Sequence, residues 1–195
     1  RKKSILVAGS LNADTFLPIH RFPSSGENLT LLPGHQPLVD VPGGKGCNQA
    51  IACAKLSLSL FMKKEKGAEV SFLGQFGNDA AASILKSALL DNNVDISSYG
   101  GYSKVYPSGR GYVMLVPTTG EVSAVVSGGS NLYGWGNWSV KNNDDATDAA
   151  SSQEDILTDQ DIQDLVSEHS LLLLQCEVPN LVNVRLAMAA HEVNI

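Results

Sequence analysis

VPGGKGCNQA, residues 41–50, is a glycine-rich turn that leads directly into small and apolar residues. The alanines and apolar residues after the glycines favour an α-helix that begins near Gly46. The turn is not a phosphate loop of the G-x-x-x-x-G-K-S/T type, because Gly46 follows Lys45 where that loop needs serine or threonine. A dinucleotide fingerprint is absent as well, since no G-x-G-x-x-G joins a strand to a helix in this chain. The turn must therefore serve another ligand, or only the local fold.

Short apolar runs alternate with helical patterns along the rest of the chain. Runs of strand length predict buried strands, and alanine-rich or amphipathic stretches between and after them predict helices. Strands that alternate with helices indicate an α/β fold with a mainly parallel central sheet. The predicted strands are SILVAGS (4–10), AEVSFLGQFG (68–77) and SLLLLQCE (170–177); the predicted helices follow Gly46, the caps Asn78 and Asp79, the cap Thr158, and Pro179.

Proline content distinguishes residues 15–42 from the rest of the chain. Residues 15–42 hold five prolines among short, partly alternating runs, which suits the edge strands of a small, exposed sheet. We assign residues 1–14 and 43–195 to the α/β core and residues 15–42 to a β-rich flap, with a contribution from a strand pair predicted within 107–126. The predicted flap strands are TFLPIHRF (15–22), ENLTLL (27–32) and HQPLVDV (35–41).

Two further segments are notable. Residues 133–155 are polar, acidic and without apolar periodicity, so we predict a loop insertion there. VNI (193–195) favours the start of another strand. A chain seldom ends where a buried strand begins, because the open sheet would expose apolar surface. We therefore expect this chain to be the amino-terminal portion of a longer protein.

Composition narrows the class of protein. The 195 residues are 43% hydrophobic with a net charge of -6, which predicts one folded domain, or one and a part, with a sizeable core. The acidic balance argues against a nucleic-acid partner. The longest apolar runs are too short for a membrane span, and Ile5–Ala8 is too short for a signal peptide, so a cytoplasmic location is expected. Cys47, Cys53, Cys176 and the four histidines fit no metal-ligand spacing, so we expect no metal site among them.

Polar residues gather where the predicted strands end. In open parallel sheets, ligands bind beyond the carboxyl ends of the strands. Two carboxylates, two amides, a lysine and a pair of glycines are expected to meet there. They offer acceptors for hydroxyl hydrogens, donors for lone pairs and room for close backbone approach, which suits a sugar. These residues are Asn12, Asp14, Gly43, Gly44, Lys45, Asn48 and Glu177.

Each of these residues also has a purely structural interpretation when taken alone. Asp14 could be a turn residue, Glu177 an exposed loop acid, and the glycine pair a tight turn. Only their joint placement at one sheet edge favours a sugar site. A generic nucleotide-binding α/β domain would instead predict that Asp14→Ala leaves ligand affinity unchanged.

The order of these motifs resembles the ribokinase-like (PfkB) family of carbohydrate kinases. The resemblance covers nearly the whole chain, and GGKG-x-NQA is its most specific part. The motifs that carry it are VAGSLNAD (7–14), FPSSGEN (22–28), GGKGCNQA (43–50), FLGQFGND (72–79), NNVDIS (92–97), PSGRGYVML (107–115), SGGSN (127–131) and LLLLQCEVP (171–179).

The resemblance implies a three-layer α/β/α fold in which the flap at 15–42 is a small β-sheet lid over the sugar. It implies ATP-dependent phosphorylation of D-ribose at the 5-hydroxyl, with Mg²⁺ and a monovalent cation such as K⁺. It also implies a homodimer that forms through the lid. The positions that match sugar-contacting residues of the family are Asn12, Asp14, Gly43, Gly44, Lys45, Asn48 and Glu177.

The chain departs from the family pattern in two ways. The segments at 61–66 and 133–155 are longer than the family usually carries. The Gly-Ala-Gly-Asp turn of the family's carboxyl-terminal half is absent. By resemblance, that half supplies the anion hole, the aspartate base, the ATP cleft and the cation site, so none of these is assigned here.

Without that half, the chain alone is expected to be inactive. The alternatives are another kinase of the family, such as a fructokinase or nucleoside kinase, or a non-catalytic sugar-binding or dimerising module.

Overall fold

The structure, a computed structural model, describes residues 3–62, 67–96, 100–103, 105–136 and 157–195. Residues 63–66 of the long lysine-rich segment and 137–155 of the predicted insertion lie outside the described residues. In chain order the elements are β1 (Ser4–Ala8), β2 (Asn12–Pro18), β3 (Leu38–Gly43), α1 (Lys45–Met62), β4 (Glu69–Phe76), α2 (Ala80–Leu90), β5 (Val94–Asp95), β6 (Gly100–Tyr102), β7 (Gly109–Val116), β8 (Glu121–Ser127), α3 (Ser130–Tyr133), α4 (Asp159–Ser167), β9 (Leu171–Leu174) and α5 (Asn180–Glu192).

A parallel sheet forms the centre of the molecule. Its strand order is β5-β4-β1-β9, and β6 pairs with the end of β4 beyond β5. β1 pairs in parallel with β4 on one side and with β9 on the other. The carboxyl ends of β1 and β9 therefore meet at one edge of the sheet. The predicted mainly parallel α/β sheet is confirmed.

Helices cover both faces of this sheet. Side chains of β1 alternate between the two faces: Leu6 packs in the cluster that contains α4 and α5, and Val7 packs in the cluster that contains α1 and α2. The predicted α/β/α layering is thus confirmed. Trp135, which falls within the predicted insertion at 133–155, is buried in the first of these clusters.

Two predicted helix caps are present. The side chain of Asp79 accepts a hydrogen bond from the backbone N–H of Ala82 at the start of α2. Thr158 and Asp161 form a reciprocal capping box at the start of α4. These caps satisfy N–H groups that have no partner inside the helix, and so fix where each helix begins.

A second, smaller sheet has the strand order β3-β2-β7-β8. β2 lies at its centre, antiparallel to β3 and parallel to β7, while β7 and β8 form an antiparallel hairpin. β2 begins at Asn12, so this sheet includes Asn12 and Asp14 as well as residues of the flap. A bulge in β3 holds Asp40 at a φ of 53°, where its carboxylate pairs with Arg110 at 2.8 Å.

Two predicted strands are wrong. Residues 27–32, ENLTLL, form no strand, and they lie between turns at Gly26 and Gly34, both of which have positive φ. Residues 193–195 are also not a strand. The backbone N–H of Val193 bonds to the carbonyl of Ala189, and that of Ile195 to the carbonyl of Ala190, so the segment closes the end of α5.

Across the described ranges, no helix combines the length and the apolar composition that a membrane crossing requires.

Candidate sugar site

Ser10 connects three elements at the carboxyl edge of the parallel sheet. Its carbonyl accepts from the N–H of Cys47 at 3.0 Å, and its Oγ accepts from the N–H of Lys45 at 3.1 Å. These two bonds satisfy N–H groups in the first turn of α1. Its Oγ donates in turn to Oε2 of Glu177 at 2.7 Å, and its own N–H donates to Oε1 of Gln175 at 3.1 Å. One fully buried serine thus ties the ends of β1 and β9 to the start of α1.

Lys45 and Glu177 form an ion pair at this junction. Lys45 Nζ lies 2.5 Å from Glu177 Oε1. Burial raises the pKa of Glu177, but the hydrogen bonds from Lys45 and Ser10 outweigh it, and the pKa is lowered overall. The hydrogen bond to Glu177 raises the pKa of Lys45. Both side chains are therefore charged at neutral pH.

The glycine turn allows α1 to approach the end of β1 at van der Waals distance. A Cβ at Gly46 would lie 2.6 Å from the carbonyl carbon of Gly9, and a Cβ at Gly9 would lie 2.8 Å from Gly46 Cα. Gly44 has a φ of +91°, which side-chain-bearing residues rarely adopt. The glycines thus bring the first N–H groups of α1 onto Ser10.

Asp14 stands beside this junction in a slot between two glycines. A Cβ at Gly43 would lie 2.1 Å from Asp14 Oδ2, and a Cβ at Gly111 would lie 2.3 Å from Asp14 Oδ1. Burial raises the pKa of Asp14, a hydrogen bond from the backbone of Gly111 lowers it, and the negative charge of Glu177 raises it, with a net increase. The carboxylate is half-buried and hence still reaches the surface.

Asn12 is buried two residues before Asp14, on the same face of β2. Its Oδ1 accepts a hydrogen bond from Nδ2 of Asn131 at 2.8 Å. Within the described ranges the structure records no hydrogen bond from the Nδ2 of Asn12. One end of this amide is therefore held by the protein, and the other is available to a ligand.

The last predicted residue, Asn48, has an exposed side chain in the first turn of α1. It lies three positions after Lys45, so the two share one face of the helix. The structure thus joins Gly44, Lys45 and Glu177 at one junction, sets Asp14 against Gly43, and leaves Asn48 next to Lys45 on the helix.

Sequence reasoning missed four residues that build this site: Ser10, Gly111, Asn131 and Gln175. Ser10 and Asn131 both lie inside quoted motifs, VAGSLNAD and SGGSN. Gln175 lies two residues before Glu177, where a buried polar residue at a strand end is itself a signal. Gly111 also lies inside a quoted motif, PSGRGYVML, but nothing local indicates its role, which is to leave space for a side chain of another strand.

Metal ligands and reactive thiols are two other kinds of functional group to consider at this site. In the part of the chain that the structure describes, no three histidine, cysteine, aspartate or glutamate side chains are grouped as metal ligands. Cys47 is buried beside the site, and burial raises the pKa of its thiol to about 12, which favours the protonated form at neutral pH. The described arrangement is suited to holding polar hydroxyl groups.

Comparison with known proteins identifies a family and relatives. A family model described as "pfkB family carbohydrate kinase" matches residues 2–190. A ribokinase of Arabidopsis thaliana is 28% identical over 192 residues, which are 98% of this chain and 42% of that protein. A ribokinase of Schizosaccharomyces pombe is 33% identical over 129 residues, which are 66% of this chain and 37% of that protein. This chain thus spans less than half the length of either relative.

A solved structure shows the same fold. The Arabidopsis thaliana ribokinase, described as complexed with ribose and ATP, superposes with a TM-score of 0.70 at 27% identity. The superposition covers 100% of this chain and 52% of that one.

Proposed function

Because this chain belongs to the pfkB family of carbohydrate kinases, we propose that it carries the sugar-binding half of an ATP-dependent kinase that phosphorylates D-ribose at its 5-hydroxyl. Relatives described as ribokinases and a structural relative described as binding ribose and ATP support ribose as the sugar. A fructokinase or a nucleoside kinase is the alternative within the family.

The single observation that carries the proposal is the position of two carboxylates and an ammonium at one sheet edge. Asp14 is half-buried between Gly43 and Gly111, and Glu177 is paired with Lys45 over the turn. Ionised carboxylates only accept hydrogen bonds, so they take the hydrogens of sugar hydroxyls. The Lys45 ammonium has three donors and gives one to Glu177, which leaves two for the lone pairs of the sugar.

In this proposal the described residues bind and orient the sugar. Asp14 and Glu177 fix hydroxyl hydrogens, while Lys45 and the amides of Asn12 and Asn48 donate to oxygens. Holding the ring in one orientation presents a single hydroxyl for transfer, and such positioning accounts for a large share of catalysis in phosphoryl transfer. ATP, when bound with Mg²⁺, supplies the phosphoryl group, and the catalytic base and K⁺ site are assigned by resemblance to a region outside this chain.

The second sheet is proposed to act as the lid of the site and to pair with the lid of a second copy. Asn12 and Asp14 belong to β2 of this sheet, so movement of the sheet would move two proposed sugar contacts. All residues of β8 are exposed, including Val122, Val125 and Val126. A homodimer through this strand would cover them. Sedimentation analysis of Val125→Glu beside the wild type tests this pairing, and an unchanged dimer would contradict it.

The proposal is tested by calorimetric titration of ribose into the longest natural open reading frame that contains this chain. We expect the wild type to bind, Asp14→Ala to lose binding, and Asp91→Ala, an exposed control at the end of α2, to bind as the wild type does. A folded wild type that does not bind ribose but binds fructose or a nucleoside would overturn the assignment of the sugar. Unchanged ribose affinity in Asp14→Ala would overturn the site.

A second experiment addresses activity. We expect the 195-residue chain alone to show no ATP-dependent ribose phosphorylation, since the proposed base and anion hole lie outside it. Detectable ribose 5-phosphate from the purified chain would contradict this expectation.

A further inference from the structure

A pair of buried amides lies where the second sheet joins the core. Asn12 opens β2, and Asn131 lies in α3, on a segment that is distant in sequence. Asn131 is only 2% exposed, and it contacts both the backbone of Leu11 and the side chain of Asn12. We infer that Asn131 is a positioning residue for sugar recognition, which fixes the Asn12 amide with its NH₂ group toward the sugar. The inference rests on the proposed function.

The backbone of Leu11 determines which way round the Asn131 amide lies. The N–H of Leu11 can only donate, so the Asn131 atom 2.9 Å from it must be Oδ1. The carbonyl of Leu11 can only accept, so the Asn131 atom 2.8 Å from it must be Nδ2. Two backbone groups of one residue thus exclude the flipped amide.

The orientation of the Asn131 amide in turn fixes the orientation of the Asn12 amide. Nδ2 of Asn131 can only donate, so the Asn12 atom 2.8 Å from it must be Oδ1. The Nδ2 of Asn12 is then the end that remains for a ligand. With its Oδ1 turned toward Asn131, Asn12 therefore offers a sugar the two donors of its NH₂ group.

The surroundings leave the amide pair little freedom. A Cβ at Gly109 would lie 2.1 Å from Asn131 Nδ2 and 2.3 Å from Asn12 Oδ1, so a glycine is needed to make room for the pair. The carbonyl of Asn131 accepts from Nε1 of Trp135 at 2.8 Å. The neighbouring Ser130 donates from its Oγ to the carbonyl of Gln75 at 2.8 Å. Asn131 is thus anchored to the core through Trp135 and through the neighbouring Ser130.

A fixed donor matters because of the groups beside it. A hydroxyl has one hydrogen, and Asp14 or Glu177 in ionised form can only accept that hydrogen. A hydroxyl held in this way has only lone pairs left for its second partner. Asn12 satisfies those lone pairs only if its NH₂ group faces the sugar, which is the orientation that Asn131 imposes.

Two isosteric substitutions test the inference by ribose titration on the longest natural open reading frame. Asn131→Asp keeps an acceptor for Leu11 N–H but cannot donate to Asn12, so Asn12 is expected to turn its NH₂ group inward and its oxygen toward the sugar. Asn12→Asp keeps the acceptor for Asn131 and presents an oxygen directly. Each should weaken ribose binding about 3- to 10-fold, the range expected for one lost hydrogen bond.

A double-mutant cycle separates positioning from general stability. In an Asn12→Ala background, Asn131→Asp should have no further effect on ribose affinity, because the group through which it acts is gone. The matched control is Asn92→Asp, which also loses a donor to a backbone carbonyl, that of Ala88, but lies at the far end of α2. It should lower thermal stability and leave ribose affinity unchanged.

The outcomes are distinct. An equal effect of Asn131→Asp in both backgrounds, or none in either, would overturn the inference while wild-type ribose binding upholds the proposed function. If Asn131→Asp does not fold, Asn12→Asp decides, since wild-type affinity in that variant would refute the assigned donor. A folded wild type that does not bind ribose would overturn the proposed function, and this inference with it.

Discussion

Lys45 and Glu177 are 132 positions apart in the chain, yet Lys45 Nζ lies 2.5 Å from Glu177 Oε1. The pair spans the gap between the start of α1 and the end of β9. Its two members differ in exposure: the Lys45 side chain is 68% exposed and that of Glu177 is 28% exposed. An ion pair with a solvent-exposed member contributes little to the free energy of unfolding, but its charged groups remain accessible to a ligand.

Lys45→Met should therefore separate binding from folding. We expect ribose affinity to fall on the order of tenfold, because a charged donor is lost, while the urea midpoint changes little. The matched control is Arg185→Met, which removes the cation of the surface pair with Asp159 and should leave ribose affinity intact. A large loss of stability in Lys45→Met would show that the pair is structural.

Asp14→Asn should bind ribose poorly and yet be more stable than the wild type at neutral pH. The net increase in the pKa of Asp14 means that folding disfavours its charged form, so the penalty is fully present above the folded pKa. The penalty disappears as pH falls below 3.8, the ordinary value, where Asp14 is protonated in both states. Thermal denaturation of the wild type and Asp14→Asn at neutral and acid pH measures this difference in stability. A stability gain that persists below that pH would contradict the account.

Gly111→Ala should impair binding through Asp14. Its Cβ would lie 2.3 Å from Asp14 Oδ1, so the carboxylate must move, and a lost hydrogen bond to a charged group weakens affinity about tenfold or more. Titration with ribose and a thermal melt provide the two readouts. Gly120→Asn is the control: no atom lies within 4 Å of a Cβ there, and asparagine tolerates its φ of +74°. Wild-type affinity in Gly111→Ala would mean that the slot is not used.

Ser10→Ala should destabilise the junction and alter its pH dependence. The buried Oγ accepts from Lys45 N–H and donates to Glu177, so its loss should cost about 1–3 kcal/mol in urea unfolding at neutral pH. The lowered pKa of Glu177 gives stability that is present above 4.5 and is lost as pH falls through the folded value. The difference between wild type and variant should therefore shrink in acid.

The control for this variant is Ser170→Ala. Its Oγ bonds to the carbonyl of Ser4 in an exposed position at the opposite end of the parallel sheet. It should change stability less than Ser10→Ala and leave ribose affinity unchanged. A difference between Ser10→Ala and the wild type that does not vary with pH would exclude Glu177 as the group involved.

Local signals in the sequence predicted much of this fold. Apolar periodicity placed β1, β4 and β9, and the side chains of Asp79 and Thr158 marked where helices begin. ENLTLL failed because strand propensity without a neighbouring strand is not enough, and the flanking turns at Gly26 and Gly34 end any pairing.

The site was less predictable than the fold for a physical reason. Lys45 and Glu177 could be expected to meet because the carboxyl ends of parallel strands share one edge. Gly111 and Asn131 act by leaving room and by orienting an amide on another strand, and both are effects between residues about a hundred positions apart. Both residues lie within quoted motifs, PSGRGYVML and SGGSN, but a single sequence does not show which distant side chain each of them serves.

The strand order β5-β4-β1-β9 also means that the two neighbours of β1 are translated at different times. β1 leaves the ribosome long before β9, its second neighbour, because residues 9–170 lie between the two strands. At cellular translation rates the synthesis of these residues takes roughly 10 to 30 s. During that time one side of the central strand is open, so the nascent chain is an expected client of chaperones that shield unpaired strands, and rare codons before Leu171 would prolong its exposure.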